Sequence, residues 1–300
     1  MRKLLVLAVV GFVAQLVDGS LGMGYGVTSS TMLVLAGLTP AAASASVHFS
    51  ELGTNLASGV SHWRLKNVDW RVVARIAGPG AIGAFIGATV LSNLSTDAAA
   101  PIMAVILAAL GAYIIVRFVV GIRPRFAKPH TIKFLAPLGA FAGFIDATGG
   151  GGWGPVATPA LLADGRMEPR KVIGSIDTSE FAVSAAASLG FIIGLGAAGI
   201  NWGFALALLI GGLVAAPLAA YLVKVAPAHL LGVLVGGMIL LTNARVLLKS
   251  FDVDSAIRWP IYGAIVLLTL AGLYVAVLRA RKRSSASARV DAGEEEAVRA

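Results

Sequence analysis

The chain has no cysteine, which excludes disulfides and thiolate metal sites from its chemistry. Charge is scarce too, because 13% of its 300 residues are charged, whereas soluble domains carry roughly 25%. The sequence also contains no GxxxxGKS or GxxxxGKT nucleotide loop, no HExxH zinc motif and no GxSxG nucleophile motif. We therefore expect no ATP-driven chemistry, no enzymatic activity and no cofactor.

Apolar residues are abundant instead: they make up 57% of the chain, and the mean hydropathy is +0.85. Runs of 18 or more nearly uncharged residues are typical of membrane-spanning helices. We predict an all-α polytopic membrane protein that has the lipid bilayer as its solvent. Its hydrophobic segments are 4–36 (interrupted), 41–62, 71–92, 98–120, 134–163 (interrupted), 171–196, 202–223, 229–248 and 259–279.

The net charge of +9 would suit a nucleic-acid partner, but its distribution argues against one. Basic residues lie mostly in loops between apolar segments, as the positive-inside rule describes. We therefore expect no nucleic acid and a multi-pass protein of the cytoplasmic membrane. The basic sequence RARKR at 279–283 indicates a cytoplasmic C-terminus.

A glycine-rich motif with an acid occurs twice, as LVDGSLGMGYG at 16–26 and as FIDATGGGGWG at 144–154. When Asp18 is aligned with Asp146, three pairs of glycines also coincide. Further along the chain, HFSE at 48–51 aligns with DTSE at 177–180. Internal repeats of this kind are typical of transporters. The aligned glycines are Gly22 with Gly150, Gly24 with Gly152, and Gly26 with Gly154.

The repeat divides the chain into two transporter halves with a linker and a C-terminal addition. We predict a first half at 1–122, a basic cytoplasmic linker at 123–131, a second half at 132–250, an extra transmembrane helix at 251–279 and a disordered cytoplasmic tail at 280–300.

Loop charges bear on the orientation of the halves. The loops 63–75 and 164–171 are basic and are expected inside, whereas 95–99 has no basic residue and is expected outside. This pattern favours a re-entrant hairpin at each glycine break, followed by three full helices. Three crossings per half would make the second repeat inverted. A broken single crossing in each half is the alternative.

The glycine breaks predict an anion-binding site. Non-helical backbone at membrane depth must be buried in protein or line a cavity, and helix N-termini attract anions. Short helices are expected at 27–37 and 155–163, with Pro155 as the first helical residue. The alternative is that the glycines only allow close helix packing. The candidate substrate-binding residues are Gly22, Gly24, Gly26, Thr28, Ser29, Gly150, Gly152, Gly154 and Thr158.

Polar residues form a stripe on the helix after each break. His48, Glu51 and Asn55 share one helical face, and Asp177, Glu180 and Ser184 take the matching places. Ionisable groups within membrane helices usually line a transport path. Alternatively, His48 could lie near the membrane interface and Asp177 near the membrane surface. Asp18 and Asp146 could instead accept N–H bonds at the breaks. The candidate proton-coupling residues are Glu51, Glu180, His48, Asp18 and Asp146.

Taken together, these motifs resemble the sulfite exporter TauE/SafE family of membrane transporters. LVDGSLGMGYG, FIDATGGGGWGP, HFSELGTN and DTSEFAVS carry the resemblance, which covers roughly residues 4–250. It implies transport of a small sulfur-containing anion, such as sulfite or an organosulfonate, coupled to an ion.

We predict a secondary transporter of a small anion, with H⁺ as the coupling ion and alternating access as the mechanism. The alternative is a non-transporting integral membrane scaffold or a subunit of a membrane enzyme.

Overall fold

The structure is a computed structural model that describes residues 2–120, 131–164, 167–222 and 228–299. Over this part of the chain it contains eleven α-helices, a short 3-10 turn and no strand. Most of the expected linker, and Arg166 in the loop 164–171, lie outside the described residues. The helices are α1 (Arg2–Leu21), α2 (Tyr25–Leu35), α3 (Pro40–Arg64), α4 (Trp70–Ser92), α5 (Thr96–Val120), α6 (Ile132–Gly149), α7 (Trp153–Asp164), α8 (Pro169–Leu195), α9 (Trp202–Leu222), α10 (Ala228–Ser250) and α11 (Ser255–Arg299).

Five of the described helices are long and apolar enough to cross a membrane. They confirm the expected all-helical, multi-pass membrane protein. Helix α3 has 25 residues but is less apolar, because it carries the polar stripe. The candidate spans are Trp70–Ser92, Ala98–Val120, Arg170–Leu195, Trp202–Ala219 and Ser255–Arg279.

Both glycine-rich motifs interrupt a helix, as predicted. Residues 22–24 separate α1 from α2, and residues 150–152 separate α6 from α7. Four glycines there have the positive φ that residues with a Cβ rarely adopt: Gly22 (67°), Gly24 (125°), Gly150 (69°) and Gly151 (151°). The short helices begin two residues earlier than expected. Pro155 is therefore the third residue of α7 rather than the first, still within the turn whose N–H groups need no intrahelical partner.

Helices α3 and α8, the equivalent helices of the two sequence repeats, pack against each other and run antiparallel. Residues early in α3 contact residues late in α8, and the reverse holds at the other ends. The contacting pairs are His48 with Phe191, Asn55 with Ser184, and His62 with Asp177.

Helices α1 and α3 both run parallel to α9. Gly11 and Gly19 of α1 contact Leu208 and Ala219, in that order, and Thr54 of α3 contacts the α9 backbone at residue 212. A second contact, Phe49 with Trp202, fixes the direction of α3. Because α1 and α3 point the same way, α2 must return the chain toward the side on which α1 begins.

Helices α6 and α8 both run parallel to α4. Gly83 and Gly87 of α4 contact Ala140 and Ala147 of α6, and further along α4 the contacts with α8 also keep the same order. Helix α7 therefore returns the chain, as α2 does. Glycines at these crossings touch the backbone of the facing helix, so they also provide the close packing proposed as their alternative role. The α4–α8 pairs are Gly80 with Val183, and Ser92 with Gly194.

Two turns define the two faces of the molecule. Asn67, in the turn between α3 and α4, packs against Gly174 near the start of α8, and we name this side the Asn67 face. Ser92, at the end of α4, packs against Gly194 near the end of α8, and we name this side the Ser92 face. Helix α3 runs toward the Asn67 face, and α8 runs toward the Ser92 face.

Candidate functional site

The two glycine breaks meet in the interior, where α2 and α7 pass each other in opposite directions. The Thr158 hydroxyl donates to the Gly22 carbonyl over 2.6 Å. The Ser30 hydroxyl donates to the Gly150 carbonyl at the other end of the contact. Between these two bonds, Gly26 packs against Gly151 with backbone on backbone. The breaks therefore form one continuous site.

An acid–histidine triad lies beside the second break. Nδ1 of His48 is 2.8 Å from Oε2 of Glu51 and 3.9 Å from Oδ2 of Asp146. All three side chains are buried. Ser184 of α8 donates to the same Glu51 oxygen over 3.1 Å, and Asn55 donates to Ser184 over 3.4 Å. We name His48, Glu51 and Asp146 the His48 triad.

A second triad lies beside the first break. Asp18, Asp177 and Glu180 each place one carboxylate oxygen within 4.8 Å of the others, and all three are buried. Nε2 of His62 lies 3.7 Å from Oδ2 of Asp177. We name Asp18, Asp177 and Glu180 the Asp18 triad.

Each triad combines residues from both sequence halves. The His48 triad takes two side chains from α3 and its aspartate from α6, whereas the Asp18 triad takes two from α8 and its aspartate from α1. The aligned residues therefore occupy equivalent places, but each aspartate serves the pair from the other half. Either set of atoms has the spacing of a cation site.

The two aspartates accept backbone N–H groups at the breaks, as one alternative from the sequence predicts. Oδ1 of Asp146 accepts the N–H of Gly152 over 2.7 Å and that of Trp153 over 3.0 Å. Oδ1 of Asp18 accepts the N–H of Tyr25 over 3.3 Å. These are N–H groups at the start of α7 and α2 that an anion would use. A carboxylate therefore occupies part of each helix N-terminus.

Several polar atoms around the breaks have no hydrogen-bond partner within the described part of the chain, although they are buried. They include both Asp177 oxygens, Oε1 of Glu51, Oδ2 of Asp146 and the hydroxyls of Thr28 and Ser29. Buried polar atoms usually have a partner, so unpaired ones mark a place for a ligand, proton or water. Among the candidate hydroxyls, those of Thr28 and Ser29 are free to bind, whereas Thr158 is already bonded across the halves.

Burial decides against two alternatives for the stripe residues. His48 is 0% exposed and is the ninth residue of α3, so it does not lie at the end of the helix. Asp177 is 2% exposed and is the ninth residue of α8, so it is not a surface acid.

The polar face of α3 extends beyond the stripe predicted from the sequence. Ser44 donates to the Ala147 carbonyl over 2.7 Å, and the Tyr25 hydroxyl lies 2.9 Å from Oγ of Ser50. The helical face that contains His48 continues from Ser44 to His62, a period that the sequence displays. The Tyr25 contact has no comparable signal, since it joins different helices.

Comparison with known proteins identifies a family of membrane transporters. The family described as "Sulfite exporter TauE/SafE" matches residues 7–246. The "Probable membrane transporter protein YtnM" of Bacillus subtilis (strain 168) is 47% identical over 294 residues, which cover 97% of this chain and 98% of the relative. No solved structure is significantly similar to the chain.

The family match covers most of the chain, and the relative is similar over nearly its full length. Both findings favour a transporter over the alternatives of a scaffold or an enzyme subunit. The buried triads at two broken helices are consistent with that assignment, since ionisable groups in membrane helices usually mark a transport path. The chain belongs to the sulfite exporter TauE/SafE family and is a membrane transporter, not an enzyme.

Proposed function

We propose that the chain moves a small anion, such as sulfite or an organosulfonate, across the cytoplasmic membrane by proton-coupled alternating access. The observation that carries the proposal is the pair of buried triads, each next to a helix break and each built from both halves. A protein that only scaffolds partners has no need for buried carboxyl groups at broken helices, which are costly in a membrane.

The proposed architecture is two inverted repeats, each with a re-entrant hairpin. The antiparallel packing of α3 on α8 supports inversion, because these helices are equivalent in the sequence repeat. The shared direction of α1 and α3 supports the hairpin, because a broken single crossing would make them antiparallel. This orientation brings the turn between α3 and α4 to the same side as the start of α8, in agreement with the charge of the loops 63–75 and 164–171.

The proposed anion site lies where α2 and α7 cross. Its candidates are the backbone of the two breaks, Gly22–Gly26 and Gly150–Gly154, together with the hydroxyls of Thr28 and Ser29. Helix N-termini supply N–H donors and a partial positive charge there. Thr158 contributes by holding the breaks together through its bond to the Gly22 carbonyl.

The charge of the site requires protons to accompany an anion. The buried polar residues that the structure describes include no lysine or arginine beside the acids and the histidine of the triads. A carboxylate about 4 Å from an anion repels it by ~4 kcal/mol at an effective dielectric constant of 20, or about a thousandfold in affinity. A carboxyl group that has bound a proton removes that repulsion.

Asp146 and Asp18 explain how proton binding could be linked to anion binding. Asp146 occupies the N–H groups of Gly152 and Trp153 when it is ionised, and an anion would compete for them. Protonation removes the negative charge that favours these bonds, so the N–H groups become available as the repulsion disappears. The site then binds a proton and an anion together, and the equivalent Asp18 can act in the same way at the other break.

The test is transport in proteoliposomes with sulfite, thiosulfate, sulfate and an alkylsulfonate under an imposed pH gradient. We expect the wild-type protein to accumulate at least one of these anions, driven by the gradient. Asp146→Asn keeps an acceptor for the two N–H groups but is always neutral, so it should retain exchange and lose gradient-driven accumulation.

Asp69→Asn is the matched control. Asp69 also accepts an N–H at a helix start, that of Arg71 over 2.9 Å, but lies in the turn before α4 and belongs to neither triad. It should keep wild-type accumulation. Failure of the wild-type protein to move any of the four anions, or accumulation that ignores the gradient, would overturn the proposal.

A further inference from the structure

A cavity of about 930 Å³ lies between α10 and α11, the helix that follows the two repeats. Arg245, Lys249 and Arg258 line one end of it, and Leu241 and Val266 are among the apolar residues at the other. The long axis thus passes from a cationic end to an apolar one, which is the order of groups in an anionic lipid.

The cationic end lies at the Ser92 face. Helices α10 and α11 are antiparallel, because Gly237 contacts Thr269 while Val233 contacts Gly272. The far end of α11 is near the end of α5, where Arg279 donates to the Val120 carbonyl over 2.9 Å. Since α5 begins just after the Ser92 turn, its end and that of α11 belong to the Asn67 face.

The three cations are therefore on the side opposite the basic loops 63–75 and 164–171. Basic loops are typical of the cytoplasmic side of a membrane, so basic residues are scarce on the opposite side. No ion pair joins Arg245, Lys249 or Arg258 to an acid within the described residues. The nearby Asp254 is engaged as the cap of α11, where Oδ1 accepts the N–H of Ala256 over 2.7 Å. Asp252 lies in the same turn, and neither acid forms a direct ion pair with the three cations within the described residues.

Two aromatic residues identify the depth of this site. Trp259 and Tyr262 line the cavity beside the cations and form an edge-to-face pair with ring centroids 5.9 Å apart. Tryptophan and tyrosine are enriched at the level of lipid headgroups. Arginine and lysine next to them match a phosphate, with the arginine fork suited to two of its oxygens.

We propose that this cavity binds an anionic glycerophospholipid. Arg245, Lys249 and Arg258 hold the phosphate, and the acyl chains lie against the apolar wall that includes Leu241 and Val266. A free phosphate would match the cationic end alone and leave the apolar wall without a partner, so the source of the phosphate is a lipid. Such a lipid bridges α10 and α11 and fastens the additional helix to the transporter.

The experiment uses delipidated full-length protein and native mass spectrometry, with phosphatidylglycerol, phosphatidylcholine of the same chains, and inorganic phosphate as separate probes. We expect retained phosphatidylglycerol and a raised unfolding temperature with that lipid alone. The single variants Arg245→Ala, Lys249→Ala and Arg258→Ala, and the triple variant that combines them, should retain less phosphatidylglycerol. The expected loss is about fivefold for each cation removed.

The matched control removes three exposed cations of the opposite face, in Arg64→Ala, Lys66→Ala and Arg71→Ala, and should leave retention unchanged. If the triple variant at the cavity does not fold, the comparison of the two lipids on wild-type protein at low and high salt decides. Equal retention of phosphatidylcholine, an equal effect of inorganic phosphate, or wild-type retention by the folded triple variant would overturn the proposal.

Discussion

Gly26 offers a direct test of the contact between the two breaks. It lies in α2 with an ordinary helical backbone, and a Cβ there would meet the Gly151 Cα at 2.7 Å and Oε1 of Glu51 at 3.0 Å. Something must shift below 3.0 Å, and ordinary contacts begin at 3.4 Å, so Gly26→Ala must separate the breaks by ~0.3 to ~0.7 Å. The neighbour that must move is backbone, which cannot rotate away as a side chain can.

The magnitude follows from a comparison with Gly59→Ala. Gly59 is also helical and faces the other half, but its Cβ would meet nothing nearer than Oγ1 of Thr178 at 3.5 Å. Both variants gain helix propensity of up to about 1 kcal/mol, so this gain cancels between them. The remaining difference is the cost of overpacking, about 1–3 kcal/mol.

The assay is thermal unfolding in lipid nanodiscs together with anion transport in proteoliposomes. We expect the unfolding temperature of Gly26→Ala to be lower than that of Gly59→Ala. The difference should be about 2–4 °C for each kcal/mol of overpacking cost. Transport should fall by up to about a hundredfold, which is the scale of a 1 Å displacement at a reacting site. If Gly26→Ala matches Gly59→Ala in both measurements, the breaks do not depend on this contact.

Three further predictions address topology, the breaks and coupling. Because the chain has no cysteine, single cysteines at Lys66 and Lys171 should be labelled only from the cytoplasmic side and one at Ser95 only from outside; external labelling at Lys171 would contradict the inverted arrangement. Gly24→Leu and Gly152→Leu should abolish anion transport while the protein still inserts, because each side chain would obstruct a break; full activity in both would exclude the breaks from binding. Glu51→Gln and Glu180→Gln should lose gradient-driven accumulation but keep exchange, since glutamine carries no proton; wild-type pH dependence in both would mean that neither couples protons.

The helix breaks and polar stripes could be predicted because their signals are local. Consecutive glycines beside an acid interrupt an apolar run, and the spacing of His48, Glu51 and Asn55 gives one helical face without any tertiary information. Helix α7 begins two residues before the start that the sequence predicts. The Asp146 carboxylate accepts the N–H of Trp153 and so favours an earlier helix start.

The assembly of the triads could not be predicted, because it depends on which helices cross. Alignment pairs Asp146 with Asp18, yet Asp146 contacts His48, a residue of the other half. That contact exists because α6 packs along α4 and its end also meets α3, where Ser44 donates to the Ala147 carbonyl. The burial of His48 and Asp177 has the same origin, since facing helices cover both positions.

The directions of the helices also divide the molecule into two groups that could move relative to each other. Helices α1, α3 and α9 form one parallel group, α4, α6 and α8 form the other, and each group draws on both halves of the sequence. Both triads join one group to the other: the His48 triad toward the Ser92 face and the Asp18 triad toward the Asn67 face. Rocking the groups apart at one face would open one triad and keep the other closed as the pivot. In the proposed mechanism, each side of the membrane would thus have its own triad whose protonation controls whether the two groups of helices stay in contact.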